Sequence, residues 1–138
     1  MKKLNVYLAN LEVGNILLHN LHWNVEGFTF KAVHEYLESL YDEFFEMLDE
    51  VAEYQRKNGE FPPASLKEYL ELTDIKERET KIVEAKEAVK IALDLISHMD
   101  ELAKEIRDET DCFILSNMME DHMTQYAKEK WFMGSMLK

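Results

Sequence analysis

The chain of 138 residues has a single cysteine, Cys112, so no internal disulfide can form and no oxidising compartment is needed. Proline occurs only at Pro62 and Pro63, and glycine only at Gly14, Gly27, Gly59 and Gly134. Neither appears between Ala64 and Met133. A β-rich fold of this size needs a turn signal every ~8–12 residues, which excludes that class. Long apolar runs are missing as well. No segment approaches the ~18 consecutive apolar residues of a membrane span. Asn5, Asn10 and Glu12 interrupt the opening segment, so no signal peptide is read there. Basic side chains are scarce, 16 against 28 acidic ones, for a formal net charge of −12. That charge repels phosphate backbones and anionic membranes and favours cationic partners, metal ions among them. One soluble, cytoplasmic domain spanning residues 1–138 is expected.

What is present is helical. The hydrophobic fraction of 46% suffices for a core. The few breakers divide the chain into four long helices and a short one: about Leu4–Val25, Lys31–Lys57, Leu66–Leu72, Ile75–Asp108 and Thr110–Leu137. Gly14 inside the first helix costs roughly 1 kcal/mol against alanine and marks a close helix contact. Asn58-Gly59 is a helix stop. Ser65 with Glu68 forms a capping box for the short helix. Thr73 or Asp74 is expected to cap the third long helix. The fold class is all-α, a four-helix bundle with a short extra helix between the second and third bundle helices.

The second helix carries the strongest signal. Glu35, Glu38, Asp42, Glu46, Asp49 and Glu53 follow one another at spacings of 3, 4, 4, 3 and 4. At ~100° per residue they fall within an arc of about 80°. Val33, Leu37, Leu40, Phe44, Met47, Leu48 and Val51 lie opposite. One reading is an amphipathic helix with a solvated face. Against it, Lys31 is the only basic residue on the arc, so the acids repel one another at i,i+4. A surface that collects hard cations keeps such repulsion, because bound metal relieves it.

Imidazole beside carboxylate suits a transition metal. Asp49 and Glu53 are one turn apart and can share an ion. His34 lies 15 residues before Asp49, roughly 22 Å along a continuous helix, so those two cannot. His22, at the end of the first helix, approaches His34 across the Gly27 turn. If His22, His34, Asp49 and Glu53 form one centre, two chains must pack antiparallel about a two-fold axis near the middle of the second helix, giving two equivalent sites. The rival reading makes His22 and His34 satisfied histidines at a helix turn. No Glu-x-x-His occurs, which argues against the soluble di-iron bundle pattern. His98 and His122 are read as surface or packing residues, and the methionines of the last helix as core filler.

Leu21 to Gly27 (LHWNVEG), His34 twelve residues after His22, and Asp49 to Tyr54 (DEVAEY) together resemble the Dps miniferritins, the DNA-protection-during-starvation proteins. The resemblance covers almost the whole chain. It extends to SLKEYLEL, which is similar to that family's extra helix, and to Trp131 near the close of the last helix. It implies a ferritin-like bundle and a metal site at a dimer interface. There His22 and His34 of one subunit face Asp49 and Glu53 of its mate, with Asp49 and Glu53 the stronger iron ligands. It further implies a hollow dodecamer that oxidises Fe(II) with hydrogen peroxide or oxygen and stores ferric mineral. Glu35, Glu38, Asp42 and Glu46 would nucleate that mineral on the inner wall, and Trp23 would lie beside the site as a packing aromatic or a redox group.

Two departures stand out. Tyr54 occupies the position of the family's arginine, and the acidic pattern that opens the family's fourth helix is unmatched. Three hypotheses follow. The first is a ferroxidase and iron store. The second is a DNA-coating member of the same family, against which the net charge argues, with only Lys2 and Lys3 before the first helix. The third is a helical bundle without metal chemistry.

Overall fold

The computed structural model describes residues 1–138. Five helices carry the fold: α1 (Lys2–Asn24), α2 (Phe30–Lys57), α3 (Leu66–Leu72), α4 (Ala85–Glu109) and α5 (Phe113–Met136). α1 packs along α2 and α4 along α5, and α3 lies on α1. The four long helices enclose one core of 29 buried apolar residues. This is the expected four-helix bundle with a short helix between its second and third members. No helix is long and apolar enough to cross a membrane.

Most helix ends obey their local sequence. α2 closes where Asn58-Gly59 stops it. Gly59 takes φ +80°, its N–H donates to the Arg56 carbonyl (3.0 Å), and the Glu60 N–H donates to the Gln55 carbonyl (2.9 Å). This is a Schellman ending, which satisfies carbonyls the helix leaves open. At α3, the Glu68 N–H donates to Ser65 Oγ (3.3 Å), and Glu68 Oε2 accepts from the Ala64 N–H (2.8 Å). The capping box therefore closes one residue further out than its usual form.

The third bundle helix differs from expectation. It begins at Ala85 rather than Ile75, and residues 73–82 form an extended strap. Tertiary hydrogen bonds override the helical propensity of this segment. Asn10 on α1, fully buried, donates to Asp74 Oδ1 (2.8 Å) and accepts from the Thr73 hydroxyl (2.6 Å) and the Asp74 N–H (3.2 Å). Ten residues along α1, the Asn20 amide donates to the carbonyls of Arg78 and Glu79. The Arg78 guanidinium binds Asn20 Oδ1 and the carbonyls of Lys81 and Ile82. His98 from α4 closes on Asp74 at 2.9 Å. At its end, Val83–Glu84 (β2) pairs in parallel with Val25–Glu26 (β1), which leads out of α1. Glu84 then caps α4 by accepting from the Lys86 N–H. The last helix likewise starts at Phe113, three residues later than expected, behind a turn in which Thr110 Oγ1 accepts from the Cys112 N–H.

Gly14 marks the close contact that its place in a helix suggests. A Cβ there would lie 2.8 Å from Phe44 Cε2 and 3.3 Å from Leu95 Cδ1. Both neighbours are buried side chains of α2 and α4. Overpacking of this kind costs about 1–3 kcal/mol, more than the ~1 kcal/mol of helix propensity that alanine returns. Gly14→Ala is therefore expected to lower stability, measured as a fall in the urea midpoint with an unchanged m-value.

Candidate metal centre

His22 belongs to the last turn of α1 and His34 to the second turn of α2. The Gly27 turn, at φ +128°, folds one onto the other. Their rings stack with centroids 3.7 Å apart and planes within 10°. Each ring also binds the other residue's backbone. Nδ1 of His22 lies 2.6 Å from the His34 carbonyl oxygen, and Nδ1 of His34 lies 2.8 Å from the His22 carbonyl oxygen. A carbonyl only accepts, so both Nδ1 atoms carry the hydrogen and both Nε2 atoms keep a lone pair. Fixing the tautomer this way is the usual preparation of a metal-binding imidazole. His22 is 5% exposed. Its ring meets Tyr41 edge-on, and Phe30 stacks on His34. The nearest carboxylate to His22 Nε2 is Glu38, 3.9 Å away. Trp23 is 71% exposed, with its ring 5.1 Å from that of His19.

Asp49 and Glu53 are exposed on α2. They line a cavity of about 320 Å³ with Glu46, Glu50, Tyr54 and Lys57. The structure thus brings His22 to His34 and Asp49 to Glu53, but does not bring the two pairs together. No three His, Cys, Asp or Glu side chains within the chain are arranged to hold a metal ion. Of the other acids on the arc, Glu35 is paired with Lys31 at 2.7 Å, which holds its carboxyl below the usual range. Asp42 and Glu46 are exposed without an ion-pair partner. Tyr54, in the arginine position, is half-buried; burial and the adjoining Cys112 thiol push its hydroxyl up to about 12.

One set of residues has a larger part than the sequence suggests. His122, read as a surface or packing residue, is 4% exposed and hydrogen-bonded through both ring nitrogens, to Tyr7 and Glu50. It belongs to a polar seam between α2 and α5. Along that seam the Tyr36 hydroxyl donates to Glu129 Oε2 (3.0 Å), and Gln125 Nε2 donates to Glu43 Oε1 (2.7 Å). Tyr36, Glu43 and Glu50 recur every seven residues, just outside the acidic arc. That heptad spacing is the signal that separates them from the solvated acids.

Comparison with known proteins agrees with the fold. The family described as a ferritin-like domain matches residues 1–138. Antigen TpF1 of Treponema pallidum is 34% identical over 99% of this chain and 79% of its own length. Its crystal structure superposes with a TM-score of 0.95, at 30% identity, over 99% of this chain and 90% of that one. The DNA protection during starvation protein of Brevibacillus brevis is 32% identical over 98% of this chain and 92% of its own length. A Dps protein from Vibrio cholerae, described as a member of a broad superfamily of ferritin-like diiron-carboxylate proteins, superposes with a TM-score of 0.92 at 27% identity, over 99% of this chain and 87% of that one. The chain belongs to the Dps miniferritins of the ferritin-like family, which places it among proteins of iron storage and stress protection.

The seam has a measurable pH signature. Burial, with Glu129 close by, raises the Glu43 carboxyl from 4.5 to about 7, against the opposing hydrogen bond from Gln125. The folded state therefore holds a proton that the unfolded chain releases, and stability falls as pH rises from about 4.5 through 7. Glu43→Gln removes that loss and keeps a carbonyl for Gln125. Discounted for partial exposure, the variant should be about 1–2 kcal/mol more stable than the parent at high pH, with the difference vanishing in acid. Urea unfolding of both proteins at pH 8 and pH 4 checks this; equal differences at the two pH values would show that Glu43 does not titrate.

Proposed function

We propose that the protein is a ferroxidase and iron store, a cytoplasmic homododecamer whose oxidation sites are each built by two subunits. The observation that carries this reading is the division of the donors along α2. Two imidazole Nε2 lone pairs are prepared at one end, and two carboxylates one turn apart stand towards the other. An antiparallel pairing of two chains would complete the set twice. The donors suit iron: carboxylates stabilise Fe(III) over Fe(II), and neutral imidazoles bind the ferrous ion. Zinc or manganese fits the same ligands.

In this reading Asp49 and Glu53 bind the entering Fe(II) and His22 completes its shell. His34 serves a second, weaker position. Hydrogen peroxide, or oxygen, accepts the electrons. With peroxide, two electrons from two ferrous ions reduce one molecule to water, and no hydroxyl radical leaves the site. Ferric ions then move along the acidic arc, where Glu38, Asp42 and Glu46, together with Glu35, gather them for mineral growth. Trp23, Phe28 and Phe45, all exposed, would supply apolar surface to the proposed two-fold interface.

DNA coating is the weaker reading, although several relatives carry DNA protection in their names. Of the two lysines near the start of the chain, Lys3 is already paired with Glu105 and Glu109. The charge of −12 per subunit opposes a phosphate backbone.

Three results are expected. Asp49→Ala with Glu53→Ala should lower the initial rate of peroxide-driven Fe(II) oxidation by about 100-fold or more, since loss of even an outer-shell partner of a ligand costs about 10–100-fold; an unchanged rate would remove the site assignment. Sedimentation should give the mass of an oligomer, since a monomer leaves every site incomplete. A low-salt gel shift with duplex DNA should show no retarded band.

A further inference from the structure

His19 takes no part in the proposed iron site, yet it stands one turn before His22 on α1. The spacing of three residues puts both on one face of the helix. Nδ1 of His19 lies 2.8 Å from the Asn15 carbonyl oxygen. That oxygen only accepts, so Nδ1 carries the hydrogen, as in His22 and His34. The His19 ring stacks on Tyr41 of α2, with centroids 3.8 Å apart and planes at 20°. Asn15 fixes Tyr41 as well, because its side-chain amide donates to the Tyr41 carbonyl (2.9 Å). One residue of α1 therefore holds both members of the stack.

Tyr41 in turn bears on His22. The two rings meet at 83°, with centroids 5.2 Å apart. His22 is thus bounded by the parallel ring of His34 and the perpendicular ring of Tyr41, while its Nδ1 is tied to the His34 carbonyl. Burial, with Glu38 and Asp42 close by, raises the Tyr41 hydroxyl, so it stays protonated and brings no charge of its own. His34 lacks such a wall. It is half-buried, and its outer stacking partner, Phe30, is itself exposed. An imidazole whose plane is fixed in advance gives up little freedom when an ion takes its lone pair, whereas a loose ring must first be ordered. We propose that Tyr41, backed by His19, is a positioning residue for His22 and makes it the tighter of the two metal-binding imidazoles. His19 acts through its ring face and is not itself a ligand. This rests on the ferroxidase reading for iron as the ion bound, but not for the ring geometry.

Zinc binding to the intact, iron-free protein, followed by titration calorimetry, tests this without any oxidation, since zinc suits the same ligands and has no redox chemistry. Tyr41→Leu should weaken the tightest zinc site by about 10–100-fold, the range for a lost partner of a ligand, and leave weaker binding unchanged. Tyr41→Phe keeps the ring and should bind as the parent does. His19→Ala should weaken the tight site, and His19→Phe, which restores an aromatic face without any nitrogen, should recover it. Both His19 variants lose the hydrogen bond to Asn15 and differ in the stack, so this pair carries the test even if Tyr41→Leu folds poorly. An unchanged tight site in Tyr41→Leu or His19→Ala, a Tyr41→Phe as weak as Tyr41→Leu, or a tight site lost in His19→Phe would overturn the proposal. A parent protein without a tight zinc site would overturn it too. Zinc affinities in the expected order, in a protein that does not oxidise Fe(II), support Tyr41 and count against the ferroxidase reading instead.

Discussion

A straight helix cannot bring its own ends together, and the chemistry of this chain is arranged along one. α2 runs without a break from Phe30 to Lys57, with a rise of ~1.5 Å per residue. It presents an imidazole near its start and a carboxylate pair in its second half. The Schellman ending at Gly59 and the apolar stripe from Val33 to Val51 hold it in place. Because α2 is rigid, its two donor groups act jointly only through another molecule. In the proposed site, oligomerisation would be part of the metal centre rather than an addition to it.

The stability of the bundle and its polar chemistry share the same interior. Tyr36, Glu43 and Glu50 face α5 through hydrogen bonds, while the residues beside them on α2 pack as ordinary core. Buried polar contacts of this kind contribute little net stability when satisfied and cost more when one partner is lost. Glu43 Oε2 and Asp100 Oδ1 are buried without a partner. On the α1–α2 side, where Gly14 lets Phe44 approach closely, Gln55 Oε1 is likewise buried without a partner.

How much of this was legible in the sequence depended on where each constraint resided. Asn58-Gly59, Ser65 with Glu68, and the acidic arc are local patterns, and each appears in the fold as read. The His22–His34 approach followed from a glycine turn and a count of residues. The strap was not legible, because nothing within residues 73–84 opposes a helix. The opposition comes from Asn10 and Asn20, more than fifty residues earlier, whose amides bind the strap. His122 was missed for the same reason, since its partners lie on α1 and α2. The ligand pairs could be named one at a time from their spacing. Their union was expected only between two chains, and within one chain the pairs stay apart.

The histidine pair has one further consequence. The carbonyl of His22 lies in the final turn of α1, where a helix has no donors of its own left to offer. The Nδ1–H of His34 supplies one. The ring proposed to offer Nε2 to a metal is thus also a helix cap lent by the next helix. Neither imidazole can swing away to follow an ion without uncapping or unstacking its neighbour. The protein itself holds both imidazoles in position, so the proposed site would have little left to rearrange when iron binds.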